Sequence, residues 1–291
     1  MMLNIRRGLT RGVAPGRLLS TTAARRLLST TAADPSVIVE RHDRTATVRL
    51  NAPPINALSL PLITELTHAV KELEQTEIEG LVLESAVPGI FTGGIHLPEL
   101  LLADDGSTDQ IATFWTAFQE MALVLHGTPL ATVAAISGPC PAGGCLLALC
   151  SDERIMDSET RGGIGLNEAS FGLVPPFWLS QLLIDVAGHR KAERMITRGM
   201  VLAPEEALAA GLVDELTSAA DVGEVASARL DELLAVPGRA AAKRQLRKPW
   251  QAETRRRRDE DRESVLAAVR SPAVQQAVIT YLEALKRKRR R

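Results

Sequence analysis

Glu168 is an acid set among oily neighbours: Ile164 and Leu166 precede it, and Phe171, Leu173, Val174, Phe177 and Trp178 follow. A carboxylate buried in such company loses its hydration. That disfavours the charged form and lifts the pKa toward the range of a general base near neutral pH. The alternative is a surface glutamate at a helix end, since unpaired carboxylates are rarely buried. Upstream, Thr132 to Ser137 (TVAAIS) reads as a short buried strand, broken by Gly138, Pro139 and Pro141. Gly143 and Gly144 then open the run CLLALC. The chain turns from strand to helix there, with backbone N–H groups exposed and no side chain in the way. A helix start of that kind attracts negative charge, including charge that exists only during a reaction.

A second glycine pair, Gly93 and Gly94, sits in Phe91 to Leu97 (FTGGIHL) ahead of a helical run expected from Pro98. It lets the backbone approach a ligand closely and leaves Ile95 able to offer its N–H beside that helix start. Taken alone, such a pair in a loop is more often a plain turn. No GxxxxGK[ST] loop, HExxH pair or GxSxG elbow occurs. His68, His96, His126 and His189 are scattered, so no metal site has sequence support. Cys140, Cys145 and Cys150 recur every five residues, which fits neither a CxxC metal site nor a paired disulfide framework, and they read as reduced core residues.

The elements that must position these groups alternate between strand and helix. Val37 to Glu40 and Thr45 to Leu50 (TATVRL) pattern as a hairpin through His42, Asp43 and Arg44. After the proline loop Asn51 to Ser59 (NAPPINALS), Ser59 and Pro61 mark a helix start, with Leu62, Ile63, Leu66, Val70 and Leu73 at helical spacing. Gly80 to Ser85 is another strand, and strand, helix, strand in that order predicts a parallel pair. A long helix is expected over Gln110 to Leu125, with Phe114, Phe118, Met121 and Leu125 on one side. Beyond Trp178 the chain reads as helices: Leu179 to Ala187, Lys191 to Arg198, Pro204 to Ala210, and Arg239 to the end. Arg255 to Arg258 is answered at once by Asp259, Glu260, Asp261 and Glu263, the pattern of a solvated helix face.

Composition bounds the class. The chain has 291 residues, 45% of them hydrophobic but only 3% aromatic, so its core is expected to be large and aliphatic. No apolar run approaches the ~20 residues that span a bilayer. Before Asp34 there is no acid, yet six arginines occur among serines and threonines, and RLLSTTAA appears twice, from Arg17 and from Arg26. That is the composition of a mitochondrial transit peptide over residues 1–33. Subtracting those six from 34 basic residues against 35 acidic leaves a body with a net charge of about −7, which argues against a general nucleic-acid surface. The terminal KRKRRR, Lys286 to Arg291, reads as a nucleic-acid tail, a membrane-surface contact or a frayed, soluble helix end.

Several stretches in order, NAPPINALS, PGIFTGGIHLPEL, ISGPCPAGGC, IGLNEASFGLVPPFWL and GHRKAER, give the chain a resemblance to the enoyl-CoA hydratase/isomerase (crotonase) superfamily from about Ser36 onward, most nearly to its mitochondrial Δ3,Δ2-enoyl-CoA isomerases. The resemblance implies an α/β fold of crotonase-like ββα repeats forming a twisted core, over residues 34–230, and a C-terminal helical region, 231–291, that packs a homotrimer. It implies an acyl-CoA thioester as substrate, with coenzyme A part of that substrate and no separate cofactor, and a place in the mitochondrial matrix. By motif position the thioester oxygen is held by the N–H groups of Ile95 and Gly143. Gly93, Gly94, His96, Leu97 and Asn167 would contact substrate, while Phe171, Phe177 and Trp178 would wall the acyl pocket or simply belong to the core. The family's hydratases are expected to manage water with two glutamates. Here the first position is Leu146 and only the second, Glu168, is an acid. A single base implies isomerisation, moving a proton from C2 to C4 of a 3-enoyl-CoA to give the trans-2-enoyl-CoA of β-oxidation. His96 departs from the aspartate usual after the oxyanion residue. The competing expectations are an RNA- or protein-binding pseudoenzyme on the same fold, suggested by His96, Arg255 to Arg258 and the basic tail, and a residual enoyl-CoA hydratase.

Overall fold

Alternating apolar residues in the second strand set the architecture. The computed structural model describes residues 35–289; the expected transit peptide, residues 1–33, lies outside them. Strand β1 (Val37–His42) pairs antiparallel with β2 (Thr45–Leu50) through the two-residue turn Asp43–Arg44, one residue tighter than expected because His42 still pairs with Thr45. In β2, Ala46, Val48 and Leu50 point inward. Helix α1 (Leu60–Leu73) begins after Ser59, whose Oγ accepts the Leu62 N–H at the long distance of 3.5 Å. It crosses to β3 (Gly80–Ser85), which lies parallel to β2 as the strand, helix, strand order requires.

Helix α2 (Asp109–Gly127) returns the chain to β4 (Ala131–Ile136), buried at every position because both faces of the sheet are covered. Then come the two-residue β5 (Cys140–Pro141), α3 (Gly143–Cys150), β6 (Glu153–Asp157) and β7 (Ile164–Gly165). Helices α4 (Phe177–Ala187) and α5 (His189–Arg198) follow, then β8 (Val201–Leu202), α6 (Pro204–Ala210) and β9 (Glu215–Thr217). The large sheet runs β1-β2-β3-β4-β6-β9 and the small one β5-β7-β8. In β4-β5-α3, one strand joins each sheet before the helix, and β6-β7-α4 repeats the pattern. These are the expected ββα units.

Helix α7 (Val222–Leu234) seals one face of the large sheet, packing Val222, Ala226 and Leu230 on Val82, Val133, Ala135 and Ile155. The boundary expected after residue 230 therefore falls inside this helix. Three helices end the chain: α8 (Arg239–Arg256), α9 (Arg258–Val269) and α10 (Pro272–Arg289). On the opposite side α8 lies against α2 and α4, α9 lies against α2, and α10 packs on α9 and on the 3-10 turns Leu97–Leu100 and Glu168–Phe171.

Three expectations need correction. The helical run from Pro98 is only a 3-10 turn, Leu97–Leu100. The chain beyond Trp178 is not purely helical, since β8 and β9 complete the two sheets. Nor is Arg255 to Arg258 merely a solvated face. Arg256 and Arg257 do pair with Glu253 and Glu260 at the surface, but Arg258 reaches back to Glu120 at 3.0 Å and to the Thr116 carbonyl at 2.7 Å on α2. Among the acids that follow, Asp261 is buried. One of its oxygens accepts from the Trp115 indole at 2.8 Å, the Gln119 amide at 2.7 Å and the Trp178 indole at 3.1 Å, tying α9 to α2 and α4.

Candidate active site

Two glycine turns meet at the C-terminal ends of the parallel strands. In the first, Leu58 brackets Ile95: its N–H donates to the Gly94 carbonyl at 2.8 Å and its carbonyl accepts from His96 at 3.1 Å. This is a parallel bridge, so the Ile95 N–H itself points away from Leu58. In the second, Ala142 takes the unfavourable φ 50°, ψ −114°, fixed by its N–H to the Gly165 carbonyl at 2.8 Å, and launches α3. Gly143 is the first residue of that helix and has no intrahelical partner for its N–H. Among the described residues, neither the Ile95 nor the Gly143 N–H donates a hydrogen bond.

The turns approach so closely that side chains are excluded. A β-carbon on Gly94, whose φ is +83°, would lie 3.1 Å from the Pro141 carbonyl oxygen and 3.6 Å from the Gly143 nitrogen. The result is a pair of adjacent, unpaired backbone donors, one of them at a positive helix end, suited to hold an oxygen that gains negative charge.

Beside them lies a cavity of about 240 Å³. Ile95, Pro141 and Ala142 form one side, and Asn167, Glu168 and Phe171 come from the strand end and 3-10 turn (Glu168–Phe171) that follow β7. Gly172, in the left-handed conformation at φ 71°, ends that turn. Among the described residues, Glu168 is the sole acid lining the cavity. The residue is half-buried, but its Oε2 is sealed from solvent and has no hydrogen-bond partner. Burial pushes its carboxyl up to about 7, against a small opposing effect of its own N–H. The burial expected from the neighbouring residues thus prevails over the surface alternative.

Of the other expected contacts, Gly93, Ile95, His96, Leu97 and Asn167 line the cavity, while Gly94 and Gly143 shape it from behind. Phe171 lines it too, but Phe177 and Trp178 do not. After Leu173 the chain passes over Pro175 and Pro176 into α4, which turns both rings away. Phe177 lies under the Arg257 guanidinium at 4.1 Å, and Trp178 is fully buried against Trp115 and Phe118. Leu146 is likewise core, fully buried in α3. The three cysteines are buried and free, and burial lifts Cys150 to about 12, which suppresses thiolate chemistry. Among the described residues no cluster suits a metal ion, and no helix is long and apolar enough to cross a membrane.

Sequence reasoning missed the fourth wall. Ala277, Val278, Tyr281 and Leu282 of α10 close the cavity, and the Tyr281 ring meets Phe171 edge-on at 4.8 Å between centroids. Their spacing is a helical apolar stripe, readable as such. Where the stripe docks was not.

The family model for enoyl-CoA hydratase/isomerase matches residues 40–289. The chain belongs to the enoyl-CoA hydratase/isomerase family. Within that family it is 36% identical over 247 residues to mouse enoyl-CoA delta isomerase 1, mitochondrial, covering 84% of each chain. To the human protein of that name it is 36% identical over 244 residues, covering 83% of this chain and 80% of the other. The crystal structure of human mitochondrial delta3-delta2-enoyl-CoA isomerase superposes with a TM-score of 0.84 over 87% of this chain and 99% of that one. An enoyl-CoA hydratase from Bacillus halodurans, 23% identical with a TM-score of 0.76, shares the family fold.

Proposed function

We propose that the protein is a Δ3,Δ2-enoyl-CoA isomerase in which Glu168 carries the proton. The observation that bears the most weight is the solitary acid: one carboxylate, pushed up to about 7 by burial, lines a mostly apolar cavity beside two unpaired backbone donors. The resemblance to isomerases over most of the chain supports the same reading.

The chemistry follows from these groups. A 3-enoyl thioester is seated with its carbonyl oxygen at the Ile95 and Gly143 N–H groups. The Glu168 carboxylate takes a proton from C2, and the C–H electron pair moves into a dienolate whose negative charge spreads to the thioester oxygen. The two donors stabilise that charge, each worth about 3–4 kcal/mol in the transition state. Glu168, now neutral, returns the proton to C4, the double bond settles between C2 and C3, and the base is regenerated. No water is consumed. Hydration would need a second acid to activate water, and the position where the resemblance implies one is Leu146, in the core.

In this reading coenzyme A is part of the substrate and no separate cofactor is used. Residues 1–33 are read as a transit peptide to the mitochondrial matrix, consistent with relatives named as mitochondrial, and the C-terminal helices as the packing surface of a homotrimer. Chain lacking residues 1–33, given 3-hexenoyl-CoA and separately trans-2-hexenoyl-CoA, should build the absorbance of the conjugated thioester from the first and leave that of the second unchanged. Loss of absorbance from the second would instead establish hydratase activity.

A further inference from the structure

His96 follows Ile95 directly, and both nitrogens of its ring are sealed from solvent without a hydrogen-bond partner. An unpaired buried polar group costs about 1–3 kcal/mol, so the neighbour that compensates it is of interest. That neighbour is Glu99. Its Oε1 lies 3.7 Å from His96 Nδ1, at ion-pair rather than hydrogen-bond distance, with the two side chains only 15% and 10% exposed. The same carboxylate accepts the Leu60 N–H at 3.2 Å, at the start of α1, and the Gln110 side-chain amide at 3.4 Å, from α2. The Glu99 N–H in turn donates to the His96 carbonyl at 2.9 Å. Burial alone would raise the Glu99 carboxyl, but His96, the Leu60 N–H and Gln110 outweigh it and hold the group below the usual carboxylate range. One buried anion therefore joins the start of α1, α2 and the residue that follows Ile95.

We propose that Glu99 and His96 are positioning residues for the Ile95 N–H. The carboxylate, anchored on α1 and α2, steadies the imidazole, and the imidazole steadies the Gly94 to His96 loop so that the Ile95 N–H stays aimed beside Gly143. Closing the contact by about 0.7 Å makes it a charge-assisted hydrogen bond. His96 transfers no proton. The inference rests on the reading of Ile95 as a donor to the thioester oxygen.

Kinetics with 3-hexenoyl-CoA on His96→Leu, His96→Gln, Glu99→Gln and the double variant His96→Leu/Glu99→Gln test it. His96→Leu should lower kcat about tenfold, part of the roughly 10²–10³ that outright loss of one such donor costs, with KM moving less than about threefold. His96→Gln, whose amide can still donate to Glu99, should recover most of the loss, and the double variant should be no worse than the weaker single one. Unchanged kcat in His96→Leu, a loss confined to KM, or losses that multiply in the double variant would overturn it. Amide hydrogen exchange over residues 93–97, with hexanoyl-CoA bound, provides a readout independent of turnover. Exchange should be faster in His96→Leu than in wild type and His96→Gln, and equal exchange would overturn the clasp. A wild type that leaves 3-hexenoyl-CoA unchanged would refute the isomerase reading, while the exchange experiment would still decide the clasp.

Discussion

Gly143 stands so close to Ile95 that a β-carbon on the glycine would come within 3.3 Å of the Ile95 nitrogen and 2.8 Å of the Leu58 Cδ1. The helix start and the Gly94 to His96 loop are thus fitted to each other across one missing methyl group. Gly143→Ala is expected to push the two donors apart and lower kcat by about 10- to 100-fold, at or below the cost of losing one oxyanion donor. Steady-state kinetics check this. Circular dichroism should stay at wild type, because the alanine is helical and Leu58 can yield.

The raised carboxyl of Glu168 predicts two pH effects of opposite sense. Its base form is needed for proton abstraction, so kcat/KM should rise with pH through about 7 and level off above it. Stability should move the other way. The folded carboxyl keeps its proton above the usual range while the unfolded one has lost it, so stability falls as pH climbs from about 4.5 to about 7. Glu168→Gln removes that penalty. By urea denaturation the variant should be more stable than wild type at pH 8, by about 1–3 kcal/mol after allowing for partial solvation of the site, and should lose the advantage near pH 4.

Tyr281 and Phe177 make a contrasting pair. Tyr281 lines the cavity and meets Phe171 edge-on, whereas Phe177 lies outside it under Arg257. Tyr281→Ala should raise KM for 3-hexenoyl-CoA about three- to tenfold, the scale of a lost aromatic contact worth about 0.5–1.5 kcal/mol. Phe177→Ala should leave KM within about twofold. Equal effects of the two changes would contradict the placement of the acyl chain.

Asp261 carries the packing of the C-terminal helices. Truncation in Asp261→Ala strands the indole N–H groups of Trp115 and Trp178 without their buried acceptor and leaves the Gln119 amide only its bond to the Arg258 carbonyl. The expected cost is about 2–4 kcal/mol of unfolding free energy, read by urea denaturation. Asp261→Asn, which retains one acceptor oxygen, should lose less.

Much of this was legible in the sequence. Gly80–Ser85 and Pro204–Ala210 form a strand and a helix at the expected residues, and α3 begins at Gly143 as the glycine pair required. Strong periodicity or unambiguous turn chemistry marked each of them. Strands β6 and β9 escaped because ERIMD carries charge at both ends and ELT is three residues long, too short for a period to show. Their strand state comes from pairing with β4 and with each other. At the site, Ile95 and Gly143 could be located because each stands at a glycine-marked turn, and Glu168 because apolar residues flank it on both sides. Phe177 and Trp178 misled because nearness in sequence to Glu168 says nothing of direction once two prolines intervene. Tyr281 was invisible because its place at the cavity depends on where α10 docks, a tertiary fact with no local signature.

The most direct measurement is the turnover of 3-hexenoyl-CoA by Glu168→Gln at pH 8, where the wild-type carboxylate is mostly ionised. The amide keeps the shape of the side chain but cannot accept a proton from C2. If Glu168 is the proton carrier, kcat should fall by about 10²–10⁴ with the fold intact. A folded variant that retained wild-type turnover would contradict that role, and with it the mechanism built on a single base.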